Sequence, residues 1–388
     1  RQAGMYTASI SPFAERHSSY WFTAGFNEVL NTGRCGGESA EEILPVALDW
    51  VKRNAASREN WFLHINFWDA HTPYRAPAEF GNPFENEPIP DWITDEVLAY
   101  HDHLTGPHGA MEIGMYTDRE NPDYPRHPGK VTDRAGLHRF FDGYDCGVRY
   151  MDGMIGKLLD ELKAQGVYDD LAIIVTADHG ENLGELGLYG EHATADEITT
   201  RIPMLIKWPG VKPGTVLEGF HYNLDIVPTM ADLLNLPHYK KWDGESYAQS
   251  LLTGEDKGRD YLVVSQCAHV CQRSVRFGDY LYMRTYHDGY HLWNNEMLFN
   301  VKEDFHEQHD ISKEHPEICG QACRYLVEWE EQMMLTADTD VDPMMTVLRE
   351  GGPYHAKKGD LPAYCRRLEE TGRADGAKAL REKYPEKF

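Results

Sequence analysis

No run of about 18 apolar residues occurs anywhere in the chain, so no segment has the length to cross a membrane as a helix. Positive charge is scarce: 38 Lys and Arg stand against 63 Asp and Glu, for a net charge of −25. Nucleic acids and anionic membranes need clustered positive charge, so neither is an expected partner. An anionic substrate must then be held by a local exception to the global field. Internal repeats and low-complexity tracts are absent. The seven cysteines, Cys35, Cys146, Cys267, Cys271, Cys319, Cys323 and Cys365, are an odd number and cannot all pair within the chain. Two C-x3-C pairs, Cys267/Cys271 and Cys319/Cys323, are looser than the C-x2-C pairs usual at structural zinc sites. Buried, reduced thiols are the expected state, which favours the cytoplasm. A periplasmic or secreted protein would need a signal peptide upstream of Arg1, and none is visible.

With 388 residues the chain is long enough for one large α/β domain and a smaller one, without disulfide or metal staples. Gly4–Ile10 reads as a turn entering a strand. Ser39-x-x-Glu42 is a capping box before apolar residues at helical spacing, and predicts a helix to about Asn54. Trp61–Trp68 reads as a buried strand ending in Asp69-Ala70-His71-Thr72-Pro73. Residues 74–132, rich in Pro, Gly, His and charge, read as an insertion or lid. Its His101, His103, His108, Arg126, His127 and Lys130, beside Trp92, Tyr100, Tyr116 and Tyr124, bring basic and aromatic side chains together, as a ligand-facing lid or a solvated loop. A long helix is predicted over 135–165, with Gly166 as its terminator. Leu171–Thr176 is an uninterrupted apolar run, which predicts a central strand covered on both faces. Ile202–Trp208 reads as a further strand and Asp225–Leu234 as a helix. Strand and helix alternating in this order predict an α/β fold with a mixed, mostly parallel sheet flanked by helices. The expected organisation is an α/β unit over 1–255, a small antiparallel-sheet subdomain over 256–335, and a helical tail over 336–388.

Ligands of open α/β sheets bind at the carboxyl ends of strands. Asp178-His179-Gly180 follows one strand and His71 another. Carboxylate oxygen and imidazole nitrogen are both ligands for a divalent cation, and Gly180 lets the backbone turn without strain.

The surrounding residues resemble the sulfatase family of the alkaline-phosphatase-like superfamily. Thr176–Gly184, Gly187–His192 and Arg201–Ile206 are similar to its metal-binding strand end, active-site loop and following strand. Phe67–Pro73 resembles its catalytic-His segment, Asp225-x-x-Pro228-Thr229 its D-x-x-P-T helix, and Glu296–Asn300 with Asp304–Glu307 its C-terminal strand region. The resemblance runs from residue 1 to about 335.

It implies hydrolysis of a sulfate ester on a sugar or glycan end, with a hydrated formylglycine attacking sulfur in line and a bound cation drawing charge from the sulfate oxygens. Asp178 and His179 would be metal ligands, for Ca²⁺ first, with Mg²⁺ or Mn²⁺ as alternatives. His71 would bind sulfate or protonate the leaving alcohol, a task suited to a side chain titrating near neutrality. Asp69 would lie against substrate. His192 stands where the family carries a Lys, and would touch substrate. Arg16 and His17 align loosely with the family's Lys and His beside the formylglycine.

The family's Cys/Ser-x-Pro-x-Arg motif is missing from these residues, as are its paired Asp ligands, so the formylglycine is expected in a segment upstream of Arg1. A phosphoryl or phosphonate monoester hydrolase of the same superfamily, or a catalytically inactive glycan-binding relative, are the alternatives. The Gly351–His355 turn could reach an active site, its own or a partner's, and the tail could carry a homo-oligomer contact.

Overall fold

The computed structural model describes residues 3–388; Arg1 and Gln2, the start of the expected α/β unit, lie outside the described residues. Three parallel strands form the first layer, in the order β2 (Glu28–Leu30), β1 (Tyr6–Ile10), β3 (Trp61–Ile65). A short helix α1 (Phe13–Arg16) follows β1, and α2 (Ala40–Asn54) precedes β3. The capping box of α2 forms as expected: Ser39 N–H donates to Glu42 Oε2 at 2.9 Å. Its Ile43, Ala47, Trp50 and Val51 are fully buried against the sheet and the long helix described next.

Residues 74–132 are largely irregular, with one helix, α3 (Asp95–His101). They are more than a solvated loop, because Tyr74, Ile93, Leu98, Ala110, Ile113 and Val131 build a second core with Leu137 and Phe140. The long helix α4 (Arg134–Ala164) supplies those last two residues and also seals the first core through Tyr150, Met154 and Leu158. It starts at Asp133, whose carboxylate accepts from Gly136 N–H at 2.7 Å. It ends where Gly166 takes φ +71° and Val167 N–H reaches back to Leu162 O.

The strand predicted over 171–176 is β4 (Ile173–Thr176), and it departs from expectation. It pairs with β7 (Met204–Lys207) alone, antiparallel, as a two-stranded ribbon among the described residues. Its faces are not both covered: Val175 is 36% exposed and Leu205 opposite is 61% exposed. An unbroken apolar run signals burial on both faces only where neighbouring strands extend the sheet, and β4 has one neighbour. Between β4 and β7 lie the hairpin β5 (Asn182–Leu183) and β6 (Tyr189–Glu191) and the short α5 (Glu197–Thr200). Helices α6 (Ile226–Leu233) and α7 (Ala248–Thr253) close the α/β part.

The small antiparallel sheet forms as expected, in the order β11 (Glu296–Asn300), β10 (Tyr280–His287), β9 (Cys271–Phe277), β8 (Tyr261–Gln266). Helix α8 (Pro316–Thr336) covers one face. The tail contains α9 (Pro343–Arg349), α10 (Tyr354–Lys358), α11 (Leu361–Glu370) and α12 (Ala374–Lys383). The tail packs onto its own chain: Leu361, Tyr364, Leu368 and Leu380 share a core with Tyr290. All seven cysteines are free thiols, and Cys146, Cys271, Cys319 and Cys365 are buried. No helix among the described residues is long and apolar enough to cross a membrane.

Candidate active site

His71 follows β3, in a turn with cis peptide bonds at Asp69-Ala70 and Thr72-Pro73. Its Nδ1 lies 2.8 Å from the Thr72 carbonyl oxygen, which sets Nδ1 as the protonated nitrogen and Nε2 as the lone-pair nitrogen. Arg75 fixes this turn from behind, donating from Nη1 to His71 O at 2.8 Å and from Nη2 to Gly36 O at 3.0 Å. Burial pulls the His71 pKa down to about 4, so the free ring is neutral at pH 7.

Asp178 and His179 leave the end of β4 as the sequence places them. Asp178 is exposed, and its Oδ1 lies 3.8 Å from His179 Nε2. His179 Nδ1 lies 2.7 Å from Gly180 O, so Nε2 is again the nitrogen with the lone pair. Gly180 is required by close approach: a Cβ there would sit 2.0 Å from the Ile198 carbonyl oxygen.

His192, at the end of β6, stacks on His179 with ring centroids 3.7 Å apart and planes 6° apart. His71 meets both rings edge-on at 5.7 Å. One ring nitrogen from each of the three lies within 4.8 Å of the other two. The stack is compatible with one charged ring. Burial lowers both pKa values, but His192 sits 3.0 Å from Glu191 Oε1, and that carboxylate brings its pKa above the ordinary value. His179 is lowered by burial and then by His192.

Glu191 itself is buried; burial would raise it, yet the facing His108, His192 and His269 rings hold it well below the usual carboxylate range. The same Oε1 lies 3.1 Å from His269 Nε2. His269 stacks on His355 of α10 at 3.9 Å, and His355 N–H donates to Ala268 O at 2.9 Å. The turn after Gly351 therefore brings a tail side chain to the wall of its own site.

Arg16 and His17 are exposed at the end of α1. His17 approaches through Trp68, 6.1 Å away, which in turn stacks on His71 at 5.8 Å. Asp69 is buried and turned to α2: Oδ2 accepts from Ala40 N–H at 2.6 Å, and burial pushes its pKa up to about 6. In the 74–132 region, His101 is spent on the Tyr189 hydroxyl (2.7 Å) and His108 on the Ile113 carbonyl (2.8 Å), both buried. Sequence reasoning missed Arg75, Glu191 and His269. Glu191 carried a signal, standing beside His192 in the loop already singled out; Arg75 lies four residues after His71, and His269 is brought in by long-range packing.

The chain was compared with known proteins. A family model described as Sulfatase matches residues 6–236. A choline-sulfatase of Rhizobium meliloti is 29% identical over 253 residues, spanning 64% of this chain and 45% of that protein. An N-acetylglucosamine-6-sulfatase of Capra hircus is 22% identical over 351 residues, 81% of this chain and 57% of the relative. This chain thus aligns with about half the length of these curated relatives. Among solved structures, a protein in complex with its substrate D-glucosamine-2-N,6-O-disulfate superposes with a TM-score of 0.67 at 18% identity, covering 87% of this chain and 81% of that one. A phosphonate monoester hydrolase of Agrobacterium radiobacter gives 0.62 at 17% identity, covering 86% and 79%. These structural likenesses show the alkaline-phosphatase-like fold; the family match, over residues that hold His71, Asp178, His179, Glu191 and His192, shows more: the chain belongs to the sulfatase family.

Proposed function

We propose that the protein hydrolyses a sulfate ester on a sugar, with His71 and His192 handling the sulfate group and Asp178 with His179 holding a divalent cation. The observation that carries this reading is the meeting of His71, His179 and His192 at the ends of β3, β4 and β6. The donor set fits a cation in part. Asp178 Oδ1 and His179 Nε2 are 3.8 Å apart, and the Gly180 carbonyl leaves that nitrogen free to ligate. An imidazole ligand suits Mg²⁺ and Ca²⁺ less well than carboxylates do, so Mn²⁺ is a real competitor of Ca²⁺. Once bound, the cation would draw charge from the sulfate oxygens, and a formylglycine hydrate from outside these residues would supply the attacking oxygen.

The rest is the work of this chain. His192, whose proton affinity Glu191 raises against the effect of burial, attracts an anionic sulfate when protonated, within a molecule of strongly negative net charge. His71 is neutral in the free site, and an incoming anion raises its proton affinity. It can then take a proton at Nε2 and give it to the leaving sugar oxygen. The Glu191–His269 pair and the His355 ring fix the wall behind His192. The sugar substrate takes support from the N-acetylglucosamine-6-sulfatase relative, which aligns over 81% of this chain.

The test is inorganic sulfate release from N-acetylglucosamine 6-sulfate by the protein expressed from its full gene, beside a phosphonate monoester. Sulfate release that falls by about 10²–10⁴ in His71→Ala is the expected result. Phosphonate turnover without sulfate release would favour a phosphonate hydrolase. Sugar binding without any turnover would leave a glycan-binding relative.

A further inference from the structure

A cleft of about 430 Å³ opens between α3, the turn before β6, the segment leading into β11 and the residues after it. Its size falls in the roughly 300–1,000 Å³ range of small-molecule sites. The histidines proposed to handle sulfate do not line it. Lys and Arg are also absent from its lining, where His101, His103 and His291 stand with the carboxyl groups of Glu307 and Asp310.

Two lining residues carry buried polar atoms with no partner in the protein. These are Nε2 of His291, a residue 6% exposed, and Oε2 of Glu307, a residue 3% exposed. Leaving such atoms unpaired costs about 1–3 kcal/mol each. Burial brings His291 down to about 3, and burial followed by Asp196 raises Glu307 well above the carboxylate range. Burial thus favours the uncharged form of each. The Glu307 carboxyl, with Oε1 accepting from Glu197 N–H at 2.8 Å, can then donate through Oε2.

Beside them, Trp293 is held rigid by stacking on His291, centroids 4.2 Å apart and planes 7° apart. The amides of Asn294 and Gln308 are anchored on Asp310 Oδ2 (3.2 Å) and His306 O (2.7 Å). A fixed aromatic surface, uncharged hydrogen-bonding groups and oriented amides are what a ring of hydroxyl groups needs.

We propose that this cleft is a second binding site, for an uncharged pyranose sugar. The site recognises no sulfate and so does not rest on the proposed hydrolysis. A neutral ring can arrive as a free sugar or as an unsulfated unit of a longer glycan.

Saturation-transfer NMR and titration on the full-length protein test this, with methyl β-D-glucopyranoside, methyl β-D-galactopyranoside, N-acetylglucosamine, lactose and N,N′-diacetylchitobiose as probes. At least one probe is expected to bind. Its affinity should fall about tenfold in Trp293→Ala, as loss of an aromatic contact implies, and also fall in the exposed-site variant Asn294→Ala. Millimolar inorganic sulfate should leave binding unchanged. Disaccharides binding more tightly than monosaccharides mark the glycan as the source, and equal affinities mark the free sugar. The proposal is overturned if no probe binds, if binding survives both substitutions, or if sulfate displaces the sugar, which would place it among the histidines instead. Failure of sulfate hydrolysis would leave this result untouched.

Discussion

A carboxylate at residue 69 was read as a substrate contact, and the structure turns it toward the start of α2 instead. This has a consequence for stability. Burial raises the Asp69 pKa from 3.8 to about 6, so the folded state favours the protonated form. The stabilisation this group contributes is therefore full below about pH 4 and is lost as pH rises through 6. Asp69→Asn keeps an oxygen acceptor for Ala40 N–H without the ionisation. Urea midpoints of variant and parent should agree near pH 4 and separate above pH 6, with the variant more stable. The positions of His71, Asp178 and His179 at strand ends were legible from the apolar runs that precede them, whereas His192 was reached only through the resemblance to the sulfatase family. Glu191, His269 and His355 act as partners of one another from three distant segments, and no local spacing encodes that.

At the level of elements, the helices announced themselves through caps and periodicity. The Ser39 capping box, the Gly166 terminator and the apolar stripe of α4 all form where the sequence puts them. The β4 strand was placed correctly in sequence and wrongly in its surroundings, because strand neighbours are a property of the sheet and not of the strand. Helices α9 and α10 are seven and five residues long, too short to show a periodic face. The turn after β4 yields a prediction. Gly180→Ala drives a methyl group into the backbone carbonyl of Ile198, which a rotamer change cannot relieve. The expected cost is about 1–3 kcal/mol of stability. The turn carrying His179 must shift with it. Thermal melts should show the loss, and the melting shift produced by added Mn²⁺ or Ca²⁺ should shrink, although both proposed ligand side chains are intact.

Across the whole molecule, a buried carboxylate is one of the points that fasten the tail to the 74–132 region, beside the bonds of Arg367 to Met111 O and of Arg373 to Leu104 O. Glu112 is fully buried and accepts from Arg373 Nη1 and Nη2 at 2.7 Å each and from the Tyr364 hydroxyl at 2.7 Å. Removing one partner of such a pair leaves the other charge buried, at a cost of about 3–5 kcal/mol. Glu112→Ala should loosen residues 336–388, seen as early cleavage by trypsin within the tail. Because His355 belongs to that tail, the wall behind His192 should loosen too, and NMR should report an altered His192 environment in the same variant. No local pattern hints at this fastening, since Glu112 and Arg373 are 261 residues apart.

The β4–β7 ribbon also governs how copies of the protein behave toward each other. Val175 and Leu205 stand exposed on strands that each have a single partner among the described residues, and a strand edge of that kind is a template for another chain. The net charge of −25 opposes such contacts by mutual repulsion. Repulsion reaches only about 10 Å in 0.1 M salt and about 3 Å in 1 M. Concentrated salt is thus expected to bring these apolar edges within reach of one another without unfolding, an association that light scattering beside an unchanged melting curve would report.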